Sequence, residues 1–225
     1  LFRVLGIEQD DHGLAAVRGA TAALGPHHPA HRFLSAYGLT HDAAFVDTFL
    51  NRRDVDYTVD GLLRLIESAG LRFQRWANNE WYYPDSHISP ANPLFDAISH
   101  LPEPAVWGAM ELFHAITQHY VVACRDDRSP GQYGIDFESA DFSQAVPIID
   151  RMRLRSRGLR FLDTLNPLES SLFRFMDGRR SVAECLRLAG LQADATHLVE
   201  SARVLMRRLW RMGLLDVMFP EGGAQ

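Results

Sequence analysis

The stretch from Asn51 to Trp76 constrains the fold more than any other part of the sequence, because it combines a helix start, a helix stop and a strand. Thr58 is a good N-cap, since its hydroxyl can accept a hydrogen bond from a free amide of the first helical turn. Apolar residues then recur at helical spacing, which predicts a helix with one face to bury: Val59, Leu62, Leu63 and Ile66. Gly70 follows as a left-handed helix stop. Leu71–Trp76 alternates with the period of a strand, so the stretch predicts half of an α/β unit whose other half lies upstream.

The composition is that of an ordinary soluble globular chain of 225 residues, with 47% hydrophobic and 23% charged residues. No apolar run approaches the roughly 18 to 20 residues that cross a bilayer, and the first residues lack the pattern of a signal peptide. The cysteines Cys124 and Cys185 lie in apolar contexts and are interpreted as buried thiols rather than a disulfide. We therefore expect a cytoplasmic protein without membrane contact.

The first residues resemble the tail of an amphipathic helix, with apolar side chains at Leu1, Phe2, Val4, Leu5 and Ile7. The chain also begins with leucine rather than methionine. We expect it to be the later part of a longer protein.

Charge divides the chain into two different halves. Residues 151–225 contain 13 arginines and 8 acidic residues, whereas residues 1–150 contain 10 arginines and 20 acidic residues; there is no lysine. The segment Arg125–Ile135 is charged and rich in glycine and proline, as linkers are. The sequence therefore predicts a first domain over residues 1–125, a linker or crossover over 126–157 and a second domain over 158–225.

The second domain has the element order of a small winged-helix-like module. Three helix starts are marked by capping residues: Asn166, Ser181 and Asp194. Ser181 and Glu184 form a capping box, and Gly213 ends the last, longest helix. Leu214–Phe219 can then be a strand.

Four bulky or rigid residues at Trp81–Pro84 are the first candidates for a binding site. Tryptophan and tyrosine combine an apolar body with a polar tip, so these side chains could line a substrate cleft. The alternative is that they cover the edge of the sheet beside the preceding strand. The sequence leaves both open.

The sequence gives little support for metal binding or for nucleophilic catalysis. The sequence contains no glycine-rich phosphate loop, no GxSxG elbow, no CxxC pair and no HExxH motif. His27, His28 and His31 have a spacing that could ligate a metal, but no acidic or cysteine partner is near, and a solvated loop is the favoured interpretation. His114 and His119 are interpreted as structural. We expect no metal.

A basic helix face in the second domain raises the question of nucleic acid. Arg203, Arg207 and Arg211 repeat at i+4 on the last helix and could enter a DNA groove. The alternative is the solvated side of an amphipathic helix. Because the arginine excess is small, nucleic acid is not favoured as a partner.

The segment Asn51–Trp76 resembles a pattern of bacterial class I methyltransferases that use S-adenosylmethionine. The matching positions are Asn51, Arg53, Asp54, Tyr57, Thr58, Val59, Leu62, Ile66, Ala69, Gly70, Leu71, Phe73 and Trp76. The resemblance covers roughly residues 1–125 and implies the last α/β unit of such a domain. The family's glycine-rich cofactor loop and its acidic partner are not found in these residues, so no catalytic or cofactor-binding residue carries over. What it implies are substrate-side candidates: Tyr57, Trp81, Tyr82 and Tyr83.

The segment Phe175–Glu184, FMDGRRSVAE, resembles the winged-helix modules of the PqqD type and accessory regions appended to methyltransferases. Together the two resemblances imply a mixed α/β, helix-rich fold: the truncated end of a methyltransferase domain, a helical region and a winged-helix-like domain. The implied function is the substrate-side and regulatory portion of a methyltransferase that is inactive alone, with S-adenosylmethionine bound in the full-length protein. Its methyl acceptor could be a peptide, a protein or a small molecule. The alternatives are a peptide- or protein-binding module without catalysis and, less favoured, a DNA-binding regulator; a homodimer stays open.

Overall fold

The computed structural model describes residues 2–28, 30–31, 33–34, 39, 41–51, 53, 55–114, 116, 118–128, 135–156, 159–191 and 196–219. Over these ranges the protein is mixed α/β and rich in helix, as the sequence predicts. The helices are α1 Asp11–Ala22, α2 Asp42–Leu50, α3 Val59–Ser68, α4 Pro93–Ser99, α5 Glu103–His114, α6 Arg151–Ser156, α7 Pro167–Phe173, α8 Val182–Leu188 and α9 Thr196–Arg211. The strands are β1 Leu71–Trp76, β2 Val121–Arg125, β3 Val146–Ile149 and β4 Leu215–Met218.

Contacts divide the chain into two compact units, Leu1–Asp56 and Tyr57–Gln225. In the first unit α1 packs on α2, with Val17 and Leu50 buried. Helix α1 begins at Asp11, because the Asp10 side chain accepts a hydrogen bond from the amide of Gly13 at 2.7 Å.

The second unit opens with the helix–glycine–strand arrangement that the sequence predicts. The Thr58 hydroxyl accepts a hydrogen bond from the Gly61 amide at 3.2 Å, which caps α3. Gly70 has φ +68°, the left-handed conformation in which a side chain would be strained. Strand β1 follows directly over the predicted residues. The sequence was sufficient to predict this arrangement, because the hydrogen bonds that begin and end the helix join residues only a few positions apart.

Strand β1 pairs antiparallel with β2 in a two-stranded sheet, from Leu71 opposite Arg125 to Trp76 opposite Val121. Helices α3, α4 and α5 pack around it with the turns that follow β1. We call the resulting cluster the first core; its buried members are Val59, Trp76, Tyr82, Tyr83, Ile88, Ile98, Val106, Trp107 and Met110. Helix α5 ends at His114.

The later part of the second unit has the predicted succession of helices and strand. Asn166 with Glu169 and Ser181 with Glu184 form complete capping boxes at the starts of α7 and α8. Strand β4 after α9 pairs antiparallel with β3. We call the cluster between them the second core, built around Phe142, Leu172, Met176, Leu186, Leu205, Met206, Leu209 and Leu214. The predicted cap Asp194 lies outside the described residues.

The two cores lie within one unit and share a residue, Trp210, which packs against both. Polar contacts join them as well: Arg153 to Glu80 at 3.5 Å and Arg75 to Asp216 at 3.3 Å. The centre of the predicted linker, residues 129–134, lies outside the described residues. The cores fall on either side of it, and the predicted domain limits at 125 and 157 stay a prediction.

Candidate functional site

A cleft of about 490 Å³ lies where the two cores meet. The first core contributes the end of β1, the turn after it and the start of α5; the second contributes the segment after residue 134 and the last turns of α9. Six aromatic residues line it: Phe73, Trp76, Tyr83, Trp107, Phe137 and Trp210. We call it the aromatic cleft. Its size is that of a small-molecule site.

The rings on the two sides are in edge and tilted contact across the cleft. Trp210 lies 5.7 Å from Tyr83 and 5.8 Å from Phe137 between ring centroids. On the other side Tyr83 meets Trp107 edge-on at 6.5 Å and 90°. Such pairs add to the hydrophobic stabilisation and hold flat surfaces in fixed orientations. These rings therefore pack on one another as the inner wall of the cleft, and Trp76, Tyr83 and Trp107 are themselves buried.

The arginine face of α9 points into the protein rather than into solvent. The guanidinium groups of Arg203, Arg207 and Arg211 lie over the rings of Phe142, Phe137 and Tyr83, at 4.7, 5.5 and 5.1 Å from the centroids. The Arg203 side chain is only 12% exposed. From the sequence, this helix face could be either a DNA contact or a solvated surface. In the structure it is packed against aromatic rings.

The charges of these arginines are balanced unequally. Arg203 pairs with Glu138 and Glu200, and Arg207 pairs with Glu138. Among the described residues no carboxylate forms an ion pair with Arg211, and its Nε is buried without a hydrogen-bond partner. Arg211 therefore lacks a carboxylate in ion-pair contact within that part of the chain, but its charge acts on the nearby carboxyl of Asp85.

Two acids near Arg211 are affected by their surroundings. The Tyr83 hydroxyl donates a hydrogen bond to Glu103 Oε1 at 2.7 Å. Burial, and then the negative charge of Glu103, raise the pKa of Tyr83 far above its usual range, so the hydroxyl stays protonated and stays a donor. Burial also raises the pKa of Asp85, an effect that the charge of Arg211 opposes.

Asn79, on the turn after β1, lines the same cleft and is only 6% exposed. Its Nδ2 donates a hydrogen bond to the backbone oxygen of Trp210 at 3.4 Å, which orients the amide. Its Oδ1 has no hydrogen-bond partner, and neither does Trp76 Nε1, which lies three residues earlier and lines the same cleft. Buried polar atoms without partners are uncommon in folded proteins because each costs roughly 1–3 kcal/mol.

The four predicted substrate-side residues are not brought together. Tyr83 is buried in the wall of the aromatic cleft. Tyr82 is buried behind it and stacks on Trp76 at 3.8 Å and 10°. Trp81 is half-buried beside His114, and Tyr57, 40% exposed, precedes α3; neither lines the cleft. Of the four, Tyr83 is the one at a cavity, and the assignment of the set to a substrate stays a prediction.

Tyr82 belongs to a separate buried network. Its hydroxyl lies 2.7 Å from His119 Nδ1, and His119 Nε2 lies 3.1 Å from Glu111 Oε1. The other Glu111 oxygen accepts the hydrogen bond of the Val59 amide at 3.0 Å. The network ties the start of α3 to α5 and to the entry of β2. His119 has a structural position here, and Tyr82 Oη is shielded from any ligand in the cleft.

Sequence reasoning missed most of the cleft. Asn79, Glu103, Trp107, Phe137 and Trp210 carry no motif, and the Asn79–Trp210 contact joins residues 131 positions apart. One sequence feature, in α9, could have indicated the cleft. Arginines recur there at i+4 with Trp210 among them, so this helix face is neither plainly apolar nor plainly solvated.

No protein-family model matches the chain. Within the described ranges no group of three or more histidine, cysteine or acidic residues is placed to hold a metal ion. Of the helices that are described, none has the length and apolar character needed to traverse a bilayer.

Proposed function

We propose that the chain is the substrate-side and accessory portion of a class I methyltransferase that uses S-adenosylmethionine. The observation that carries this proposal is the resemblance of Asn51–Trp76 to the methyltransferase pattern, in a stretch that folds as a capped helix, a left-handed glycine and a strand. Side chains contribute little in such enzymes, because alignment of the acceptor with the sulfonium methyl group supplies much of the rate. A rigid cleft that fixes an acceptor is the contribution such a portion would make.

The β1–β2 sheet supports the same proposal. Within the described residues neither strand is paired on its outer side. A sheet of two strands is marginal by itself, and an unpaired edge is a template for a further strand. In a complete methyltransferase domain, β1 and β2 would extend a larger sheet.

The described residues that follow β1 and β3 do not fit the cofactor. Strand β1 is followed by Asn79–Trp81, a 3-10 turn, and β3 by α6; neither junction has the glycine-rich loop that lets a backbone approach a nucleotide. When bound, S-adenosylmethionine supplies the electrophilic methyl group. We assign its binding to segments outside these 225 residues.

The first test is the coding sequence upstream of the Leu1 codon. The proposal expects a continuous reading frame that encodes a strand followed by a glycine-rich loop. A start codon immediately before Leu1 would contradict it.

The second test is calorimetric titration of S-adenosylmethionine into the 225-residue chain. We expect no saturable heat, whereas the longer chain should bind. Tight binding by the short chain would contradict the proposal, because it would mean that these 225 residues contain a cofactor site.

A peptide- or protein-binding module without catalysis is the second candidate. It is favoured by the resemblance of Phe175–Glu184 to PqqD-type modules, together with the element order of helices α7–α9 and the β3–β4 pair. Peptides are recognised by such modules through a sheet edge or a helix groove. Titration of the whole chain with peptides encoded by neighbouring genes, followed by amide NMR shifts in β3 and β4, tests it; shifts confined to the first core would count against it.

The third candidate, a DNA-binding regulator, is not supported by α9. Its three spaced arginines lie on aromatic rings, and Arg203 and Arg207 are also paired with acids. Duplex binding that weakens steeply as salt concentration rises would restore this candidate.

A further inference from the structure

We propose that the outer side of α5 is the contact surface of a homodimer, in which α5 of one copy packs antiparallel against α5 of a second copy. We call this surface the α5 face; it consists of Pro104, Ala105, Gly108 and Leu112. Such a dimer is independent of the methyltransferase proposal.

Helix α5 is apolar on the side that faces away from the protein as well as on the side that faces the core. Its buried side consists of Val106, Trp107 and Met110. At 100° per residue the α5 face lies opposite these side chains, and over Glu103–His114, all of which the structure describes, it carries no polar side chain. A surface helix is normally polar on its outer side, and a helix that is apolar all round is normally covered on both sides.

The ionisable residues of α5 lie on its other sides and are engaged within the same copy. Glu103 accepts the hydrogen bond of the Tyr83 hydroxyl, and Glu111 accepts that of the Val59 amide. The ring of His114 lies 4.3 Å from another imidazole ring of the first core's turns. The α5 face is therefore left without a group that favours contact with water.

The α5 face is large enough for a weak dimer. Leu112 is 85% exposed, and Phe113 beside it is 50% exposed. Together these residues expose on the order of 500 Å² of apolar surface, a size at which patches on monomers are often binding surfaces. Two copies paired there would bury on the order of 1,000 Å² in total, which is the lower limit of a specific interface. We therefore expect a dimer that dissociates at micromolar concentrations.

The sizes of its side chains make the α5 face complementary to itself. Gly108 lies at the middle, with Pro104 and Ala105 towards the start of the helix and Leu112 towards its end. In an antiparallel pair whose two-fold axis passes Gly108, Leu112 of each copy lies over Pro104 and Ala105 of the other, so that one contact is made twice. This arrangement also places the positive end of each helix dipole beside the negative end of the other. These features favour a second copy over an unrelated helix.

Gly108 allows the two helices to approach closely at the crossing. Within the described part of the chain, no atom lies within 4 Å of the position that a Cβ would take there. The position is therefore open in the single copy, and a larger side chain would meet only the second copy. Substitution at Gly108 thus separates the effect on the dimer from the effect on folding.

The first experiment is sedimentation equilibrium of the whole chain from about 1 to about 500 µM, which brackets the affinity expected for an interface of this size. We expect a reversible equilibrium between monomer and dimer. A chain that stays monomeric throughout, or that associates beyond the dimer, would overturn the proposal. The α5 face would then serve a different protein.

Two variants locate the contact. Gly108→Gln places a long side chain at the crossing, and Leu112→Ala removes the largest side chain of the α5 face; each should weaken dimerisation about tenfold or more. Met152→Ala, which truncates a side chain 83% exposed on α6, is the matched control and should leave the dissociation constant unchanged. Unaltered association of both α5 variants would place the contact elsewhere and overturn the proposal.

Thermal unfolding of the dilute variants checks that each still folds. Glutamine has a higher helix propensity than glycine, and Leu112 is mostly exposed in the single copy. The melting temperatures of Gly108→Gln and Leu112→Ala should therefore not fall below that of the unaltered monomer by more than a few degrees. A large fall in both would contradict the open position of the α5 face.

An introduced cysteine tests the antiparallel arrangement. Both natural cysteines are buried, and Gly108→Cys adds only a small side chain at the two-fold axis, where the two thiols can meet. In Leu112→Cys the two thiols would be separated by about 12 Å along the helix axes, which is farther than a disulfide can span. Oxidation should therefore give a covalent dimer of Gly108→Cys and not of Leu112→Cys. The opposite result would refute the antiparallel pairing.

Discussion

Burial of single side chains has consequences for their ionisation, and Asp85 shows this best. Its Oδ2 atom is buried without a partner, and burial raises the pKa of its carboxyl above 3.8, the value for an exposed group. The folded protein therefore holds the proton more tightly than the unfolded chain. This contribution to stability is present at low pH and is lost as the pH rises through the folded-state pKa.

The first prediction rests on the raised pKa of Asp85. Asp85→Asn removes the ionisation, so the free energy of unfolding of the variant relative to the unaltered protein should be higher at neutral pH than at acidic pH. Urea unfolding at the two pH values measures it. If the free energy of unfolding of the variant relative to the unaltered protein decreased as the pH rises, the pKa of Asp85 would not be raised.

The second prediction concerns a thiol. Cys185 is fully buried, its Sγ donates to the backbone oxygen of Phe175 at 3.3 Å, and burial raises the pKa of the thiol to about 11. Because the thiolate is the reactive form, iodoacetamide at about pH 8 should leave Cys185 unmodified in the folded protein. Mass spectrometry of the peptides would show this, with urea-unfolded protein as the labelled reference. Equal labelling in both states would mean that the second core is open.

At the level of helices and strands, the structure follows the local signals of the sequence closely. The caps at Thr58, Asn166 and Ser181 and the glycines at 70 and 213 fix where elements begin and end, and each acts over three to five residues. The aromatic cleft could not be predicted in the same way. Its walls come from β1, α5 and α9, and nothing in the residues around Trp107 or Asn79 indicates that Trp210 is their neighbour.

The two capping boxes allow a matched third prediction. Glu169 closes the box of α7 and also lies 3.3 Å from Arg208, with its side chain 12% exposed, whereas Glu184 closes the box of α8 in an exposed position. Glu169→Ala should cost about 2–3 kcal/mol, because it removes a cap and a partner of a half-buried arginine, and Glu184→Ala about 1 kcal/mol. Chemical denaturation of both variants measures the difference. Equal losses would mean that the Arg208 contact contributes nothing.

The fourth prediction compares two left-handed glycines. Gly213 ends α9 with φ +66°, and a Cβ there would lie 2.7 Å from Glu80 Oε2; Gly190 has φ +76° with nothing near the position of a Cβ. Gly190→Ala should therefore cost only the backbone strain of about 1 kcal/mol. Gly213→Ala should cost more, because Glu80 and its contact with Arg153 must also move. Thermal unfolding distinguishes the two, and a smaller loss at 213 than at 190 would contradict the close approach.

At the scale of the molecule, the second unit is held together by the last turn of one helix. Trp210 packs against both cores, and its backbone oxygen accepts the hydrogen bond of Asn79. Removal of a fully buried large aromatic side chain costs about 3–5 kcal/mol, and removal of the half-buried Trp210 side chain should cost less. This loss of stability should affect both the first core and the second core.

The fifth prediction follows from this shared residue. In hydrogen exchange with mass spectrometry, Trp210→Ala should lower protection in residues 59–110 and in residues 137–215 together. Met206→Ala is the comparison, since Met206 is fully buried in the second core alone and should affect mainly the second range. Unchanged protection in residues 59–110 of Trp210→Ala would show that the cores are independent.

The position of Trp210 also bears on how the chain is made. The first core is complete in sequence by residue 110, yet one of the side chains that packs on it is synthesised a hundred residues later. During translation its aromatic wall stays uncovered while the later helices emerge from the ribosome, and an uncovered apolar surface is what chaperones bind. A pause in elongation before residue 210 would prolong that exposure. The wall is covered only after α9 has been synthesised and Trp210 packs on the first core.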